Sequence, residues 1–261
     1  MTAILKYFYV LMLFCTNVCW GQTGKSFLFH YYDNSNGLSS YNVRKIVQDD
    51  FGFMWIATQD GLNFFDGRDF KIFRNSGRFD RKIADNVVMD MAIQAGKSLL
   101  WLCLPYAGIQ AINLNTHASC DSISSAYFEE TLGNSLLTTI SFSQTGNQLW
   151  IGHSEGWGVF DLQQHKVVYS SRTDPHLAAS GKEYVVKIVH SGTDKSWVCT
   201  RNGMIYLYQR APFKLLQSFD LFQKDAADRL SQINDVIAEP GGNLLMATTS
   251  GLQGLTFNQQ S

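Results

Sequence analysis

A chain of 261 residues is long enough to bury a sizeable core, and 45% hydrophobic with 13% aromatic content fits a globular β-rich protein and excludes a disordered one. With 16% charged residues and a formal net charge of −1, the sequence lacks the basic excess expected for nucleic acid or for an anionic membrane surface. Neutral, polar or mildly charged ligands remain open.

Residues 1–21 read as a secretory signal peptide. Lys6 supplies a positive n-region, residues 7–18 an apolar core, and Cys19 and Gly21 place small residues three and one before a cut at Gln22. The apolar run is a dozen residues, where a membrane span needs about 20, so an uncleaved anchor is disfavoured and no span is expected after cleavage. Neither Cys15 nor Cys19 follows a Gly or Ala in the manner of an acylated lipoprotein cysteine. The expected location is periplasmic or secreted, with residues 22–261 as the folded domain.

The next segment, residues 27–32, is short and aromatic and is expected to be an outermost strand without a blade of its own. Turn chemistry follows in Asp33-Asn34-Ser35-Asn36-Gly37. Residues 37–74 then make a first repeat, with strands expected near 43–48, 53–58, 62–66 and 70–74. Its signature is Trp55-Ile56-Ala57-Thr58, a turn at Gly61-Leu62, the pair Phe65-Asp66 and the strand Phe70-Lys71-Ile72-Phe73.

The signature recurs at Trp101 with Gly108, at Trp150 with Gly156 and at Trp197 with Gly203, and a weaker copy has Leu245 with Gly251. Successive anchors lie 46, 49, 47 and 48 residues apart, close to the roughly 40–50 residues of one propeller blade. The remaining blades are expected over 84–124, 135–170, 183–218 and 231–258, the last ending after its third strand. Blade two departs from the others, since Pro105-Tyr106-Ala107-Gly108 lengthens its turn by one residue and sets Tyr106 on an exposed loop.

The W-I-x-T strand, the Gly-Leu turn, the aromatic-Asp pair and the F-x-x-F strand together resemble the two-component regulator propeller repeat. The lead-in Gly37-Leu38-Ser39-Ser40-Tyr41-Asn42-Val43, with Gln48-Asp49-Asp50-Phe51-Gly52, is similar to the opening of the sensor region of hybrid histidine kinases in carbohydrate-degrading gut bacteria. The resemblance extends over residues 27–257 and is closest in the first copy. It implies an all-β fold, a β-propeller of about five four-stranded blades, acting as a periplasmic sensor that binds a carbohydrate fragment. No kinase, receiver or DNA-binding segment is read in this sequence, so signalling would need a sensor-kinase partner or self-association. Rings in the family have more blades than five, which favours an incomplete ring; pairing of 27–32 beside 252–257 would instead close a five-bladed one.

Apparent catalytic motifs yield to repeat position. Gly152-His153-Ser154-Glu155-Gly156 spells G-x-S-x-G, but a nucleophile elbow needs a strand-turn-helix, and here the segment occupies the same hairpin as Thr58-Gln59-Asp60-Gly61. Ala95-Gly96-Lys97-Ser98 lacks the earlier Gly of a phosphate-binding loop, with Met91 in its place. The 6 histidines show no paired ligand spacing, so no metal and no cofactor is expected. Cys103 and Cys199 share the slot of Ala57, Gly152 and Ala247, two residues after the anchor, and are read as small buried thiols outside any disulfide.

Residues that differ between repeats are the better ligand candidates. The hairpins between second and third strands and the connections between blades are expected to emerge on one face around the axis. Tyr41, Asn42, Gln59, Asp60, Asn86, Tyr106, His153, Glu155, Tyr184, Arg201 and Asn202 fall there, and such groups suit a hydroxyl-rich ligand. The alternatives are a lyase or hydrolase with an axial site built on His153 and Glu155, and a protein-interaction scaffold marked by an apolar patch.

Overall fold

The computed structural model describes residues 28–76, 82–133, 135–143, 146–177, 182–192, 194–210, 213–222, 231–239 and 242–256. The expected signal peptide and Phe27 lie outside the described residues. Leu28 to Tyr31 belong to a unit separate from the rest of the chain and have no regular secondary structure.

From Tyr32 onward the chain is an all-β, five-bladed β-propeller. Blade one comprises β1 (Val43–Gln48), β2 (Met54–Thr58), β3 (Gly61–Phe65) and β4 (Phe70–Phe73). Blade two comprises β5 (Asp90–Gln94), β6 (Leu99–Leu104), β7 (Gly108–Asn113) and β8 (Ser119–Ser124), followed by the helix α1 (Ser125–Leu132). Blade three has β9 (Leu137–Phe142), β10 (Gln148–His153), β11 (Gly156–Asp161) and β12 (Lys166–Ser170). Blade four has β13 (Val185–Ser191), β14 (Lys195–Thr200), β15 (Met204–Arg210) and β16 (Phe213–Asp220). Blade five has β17 (Ile233–Ala238), β18 (Leu244–Thr248) and β19 (Gly251–Leu255). Each blade is an antiparallel meander in chain order, with three strands in the fifth and four in the rest among the described residues.

The anchor tryptophans hold the blades together. Trp55, Trp101, Trp150 and Trp197 are each buried in the core shared by their own blade and the next, where large aromatic surfaces contribute most of the packing. Side chains alternate along a strand, so the residue after each anchor faces the preceding blade: Leu102, Ile151 and Val198 are fully buried there. The end blades differ. Ile56 is only partly covered in blade one, and in blade five Leu245 is partly covered and Ala247 exposed.

The Thr that closes the W-x-x-T strand has a structural task. Thr58 Oγ1 donates to the Gly61 carbonyl at 2.8 Å and accepts from the Asp60 amide, and Thr248 does the same with Gly251 and Ser250. The hydroxyl thus satisfies backbone groups that the tight turn leaves unpaired.

Two expectations are corrected. The first is that no strand forms among Leu28 to Tyr32, whereas blade five has the three strands expected of it among the described residues. Asp33 instead caps a 3-10 turn over Asn34–Asn36, and the Tyr32 ring packs edge-on against Phe65 and Phe70 of blade one at 5.0 and 5.9 Å. The second correction is α1, an element absent from the sequence reading, which buries Phe128 and Leu132 beside Phe160 of blade three.

Candidate ligand site

The inner strands β1, β5, β9, β13 and β17 line the axis, and one register position on them is polar in every blade. Lys45 pairs with Ala57, Asp90 with Cys103, Thr139 with Gly152, Lys187 with Cys199 and Asp235 with Ala247. The small-residue slot of the second strand therefore lies opposite this polar ring. Its smallness is required where packing is tightest: a Cβ on Gly152 would lie 2.6 Å from both Thr139 and Val185 side-chain carbons.

The ring is cross-linked. Lys45 Nζ lies 3.4 Å from Asp90 Oδ1, and Lys187 Nζ lies 2.8 Å from Asp235 Oδ1. Asp90 Oδ2 also accepts the Thr139 hydroxyl at 2.6 Å and the Ile140 amide at 3.1 Å. Burial raises the Asp235 carboxyl, but the bond and charge of Lys187, the Val236 amide and the Lys45 charge together hold it below its usual range. Lys187 is raised in turn, because the two aspartates and the Asp235 bond more than offset desolvation of its ammonium.

These residues form a waist between two chambers. Toward the hairpins lies a cavity of about 600 Å³ with Arg44, Tyr184, Arg201 and Gln232 on its walls. On the other side, a cavity of about 410 Å³ has Ile140, Ile188, Val236 and Ile237 on its walls. The Arg201 guanidinium stacks over the Tyr184 ring at 3.7 Å, and the Arg201 amide donates to the Tyr184 carbonyl at 2.8 Å. The hairpin after β14 and the connection into β13 are thereby fastened to each other at the mouth.

Of the residues expected to bind ligand, Tyr184 and Arg201 line this chamber. Others sit in local bonds along the hairpins: Asn42 donates to Gln59 at 2.9 Å, Asp60 pairs with Arg74 at 2.7 Å, and Asn86 accepts the Asn75 amide at 2.8 Å. Tyr41 is exposed, Asn202 accepts the Thr200 hydroxyl at 2.5 Å, and Tyr106 borders a separate crevice of about 90 Å³ with Phe128 and Glu129. Glu155 pairs with Lys182 at 2.5 Å beside a pocket of about 260 Å³ between blades three and four.

His153 is a correction. It is 1% exposed, because it ends β10 with its ring packed inward, and Nδ1 meets the Ser135 hydroxyl at 2.7 Å and the Glu155 amide at 3.3 Å. Burial lowers its pKa to about 4, so the ring is neutral. His153 and Glu155 do not meet in the axial chamber, which removes the geometry for an axial His/Glu catalytic site. Burial likewise raises the Cys103 thiol and pushes Cys199 up to about 12, which makes both unreactive small groups.

Arg44, Lys45, Asp90, Lys187 and Asp235 were missed by the sequence reading. For Lys45, Asp90, Lys187 and Asp235 a signal is nonetheless present, a charged residue at one register position shared by four of the five inner strands.

Residues 37–60 match the family described as two component regulator propeller. A stretch of 51 residues is 47% identical to histidine kinase P4 of Formosa agariphila, covering 20% of this chain and 4% of that protein. The extracellular domain of a hybrid two component system from B. thetaiotaomicron superposes with a TM-score of 0.71 at 22% identity, covering 90% of this chain and 31% of that one. The extracellular domain of a one component system from the same organism gives 0.66 at 16% identity, with 92% and 33% covered. The present chain thus spans about a third of the length of those solved domains. Among the described residues no helix is long and apolar enough to cross a membrane. The chain carries the two-component regulator propeller repeat, and its fold is the β-propeller fold of these extracellular domains.

Proposed function

We propose that this chain is the ligand-sensing propeller of a two-component-type system, exported to the periplasm or beyond, and that it binds a carbohydrate fragment in the axial chamber on the hairpin side. The observation that carries the reading is the mouth of that chamber, where Arg201 lies over Tyr184 above a floor of cross-linked charges. With Arg201 covering one face of Tyr184, the rest of the phenol and the donors and acceptors around it suit a sugar ring and its hydroxyls. Binding, not catalysis, is the role this arrangement supports, and the signal would pass to a sensor kinase or to another copy of the chain.

A thermal-shift screen against glycan fragments tests the reading, because a ligand that binds only the folded state raises the melting temperature. At least one fragment is expected to stabilise the protein, and Tyr184→Ala is expected to abolish that shift. Absence of any shift across the panel, confirmed by calorimetry, would remove the sensing assignment.

A further inference from the structure

The charges of the axial chamber do not balance. Asp90 spends one carboxylate oxygen on Lys45 and the Met91 amide and the other on Thr139 and Ile140. Asp235 is occupied by Lys187 and by the Val236 amide at 2.9 Å. Each floor carboxylate therefore has its own lysine, and these pairs cancel. Two guanidinium groups remain on the walls, Arg44 and Arg201, and among the described residues no carboxylate pairs with either. Among the described residues the chamber lining thus carries a surplus of two positive charges, although the whole chain is formally at −1.

We infer that the axial chamber selects an anionic oligosaccharide, one whose carboxylate or sulfate is held by Arg44 and Arg201 while a sugar ring rests near Tyr184. This inference rests on the carbohydrate-sensing reading and narrows its ligand class. A cleft lined by one sign of charge concentrates counter-charged ligands, and the planar guanidinium fork matches carboxylate and sulfate oxygens in pairs. The position of the groups matters as much as their sign. Arg201 is already restrained on Tyr184, so less side-chain freedom is lost when it takes a ligand anion. The fixed Lys-Asp pairs below leave donors and acceptors for hydroxyls but add no net charge, so discrimination falls on the two arginines.

The test is calorimetric titration of the full chain with three oligosaccharides of equal length: a uronic-acid oligomer, a sulfated oligomer and their neutral counterpart. The preferred anionic oligomer is expected to bind about tenfold or more tightly than the neutral one at low salt, with the preference shrinking as salt screens the contact. Which of the two anionic oligomers wins identifies the anion. In Arg44→Gln/Arg201→Gln the preference should fall to about onefold. Both side chains are exposed, so a melting curve like the parent's will show that the fold is intact. Equal or tighter binding of the neutral oligomer would overturn the inference while leaving carbohydrate sensing in place. Persistence of the anionic preference in the double variant would also overturn it, since the anion would then be held elsewhere. Binding of none of the three would overturn the inference, while the reading on which it rests is decided by the wider glycan panel.

Discussion

Asp90 on β5 accepts the hydroxyl of Thr139 on β9 at 2.6 Å, so one buried carboxylate joins the innermost strands of neighbouring blades across the axis. The same carboxylate receives the Ile140 amide and faces Lys45 of blade one, which ties three blades to a single side chain. Asp90→Ala leaves a hydroxyl, an amide and an ammonium without their acceptor, and is expected to cost about 3 kcal/mol. Asp90→Asn keeps one acceptor oxygen and should cost less. Urea denaturation midpoints of the two variants check the order; equal midpoints would mean that the oxygen kept by Asn contributes nothing, and an Asn midpoint equal to the parent's would mean that the charge contributes nothing.

The repeat glycines are predicted to differ in their tolerance of substitution. Gly61 has φ of 117°, and a Cβ there would lie 2.6 Å from the Phe73 carbonyl oxygen, so strain and collision act together. Gly61→Ala is expected to cost about 3 kcal/mol. Gly251 has nearly the same φ, 116°, but among the described residues nothing within 4 Å of the Cβ position, so Gly251→Ala carries only the left-handed backbone cost of about 1 kcal/mol. A pair of melting curves separates the two.

Acid stability is expected to be limited by buried histidines. His153 and His190 are both lowered to about 4, chiefly by desolvation, from an ordinary value of 6.5. Because the folded pKa is depressed, their contribution is present above pH 6.5 and is lost as pH falls toward 4. For His153, at 1% exposure, the full loss amounts to about 3 kcal/mol. Glu183 acts in the opposite direction: burial raises its carboxyl, so its contribution favours the fold at low pH and is lost as pH rises through the raised value. Denaturation midpoints from pH 7 to 4 should fall in the parent and fall less steeply in His153→Asn. An unchanged slope in that variant would show that His153 is not the titrating group.

How much of this was legible in the sequence follows from what each residue answers to. Trp55, Trp101, Trp150 and Trp197 repeat because every internal blade interface makes the same demand, so their spacing revealed the blade boundaries and the core together. The helix α1 answers to no repeat: it fills one gap beside blades two and three, and its residues fall between the repeats read over 84–124 and 135–170. The site was less legible for a similar reason. Loop residues such as Gln59 and Asp60 looked like ligand groups because they are polar, yet they are engaged in bonds within the hairpins. The axial charges were overlooked because attention to differences between turns passed over a position that is polar in all five inner strands. His153 appeared exposed because its neighbours Ser154 and Glu155 form the turn, whereas strand alternation directs its ring inward.

The last prediction concerns the two end blades. Trp150 lies between blades three and four at 0% exposure, and Trp150→Ala is expected to cost about 3–5 kcal/mol. Leu245 holds the same slot in blade five but is only partly covered, so Leu245→Ala should cost about 1 kcal/mol. The apolar groups left exposed at the ends include Leu252 at 71% and Ile46 at 51%. Each internal interface joins the anchor side of one blade to the opposite side of the next, so these end surfaces are of complementary kinds, and contact between copies would bury both. Sedimentation of the purified protein is expected to show association that increases with concentration. Leu252→Lys, at an exposed site, should leave the melting temperature within a degree or two of the parent, on the order of 0.5 kcal/mol or less, and should shift sedimentation toward the monomer. A parent that remains monomeric at the highest concentration, or a Lys variant that associates as strongly, would show that these faces do not drive assembly.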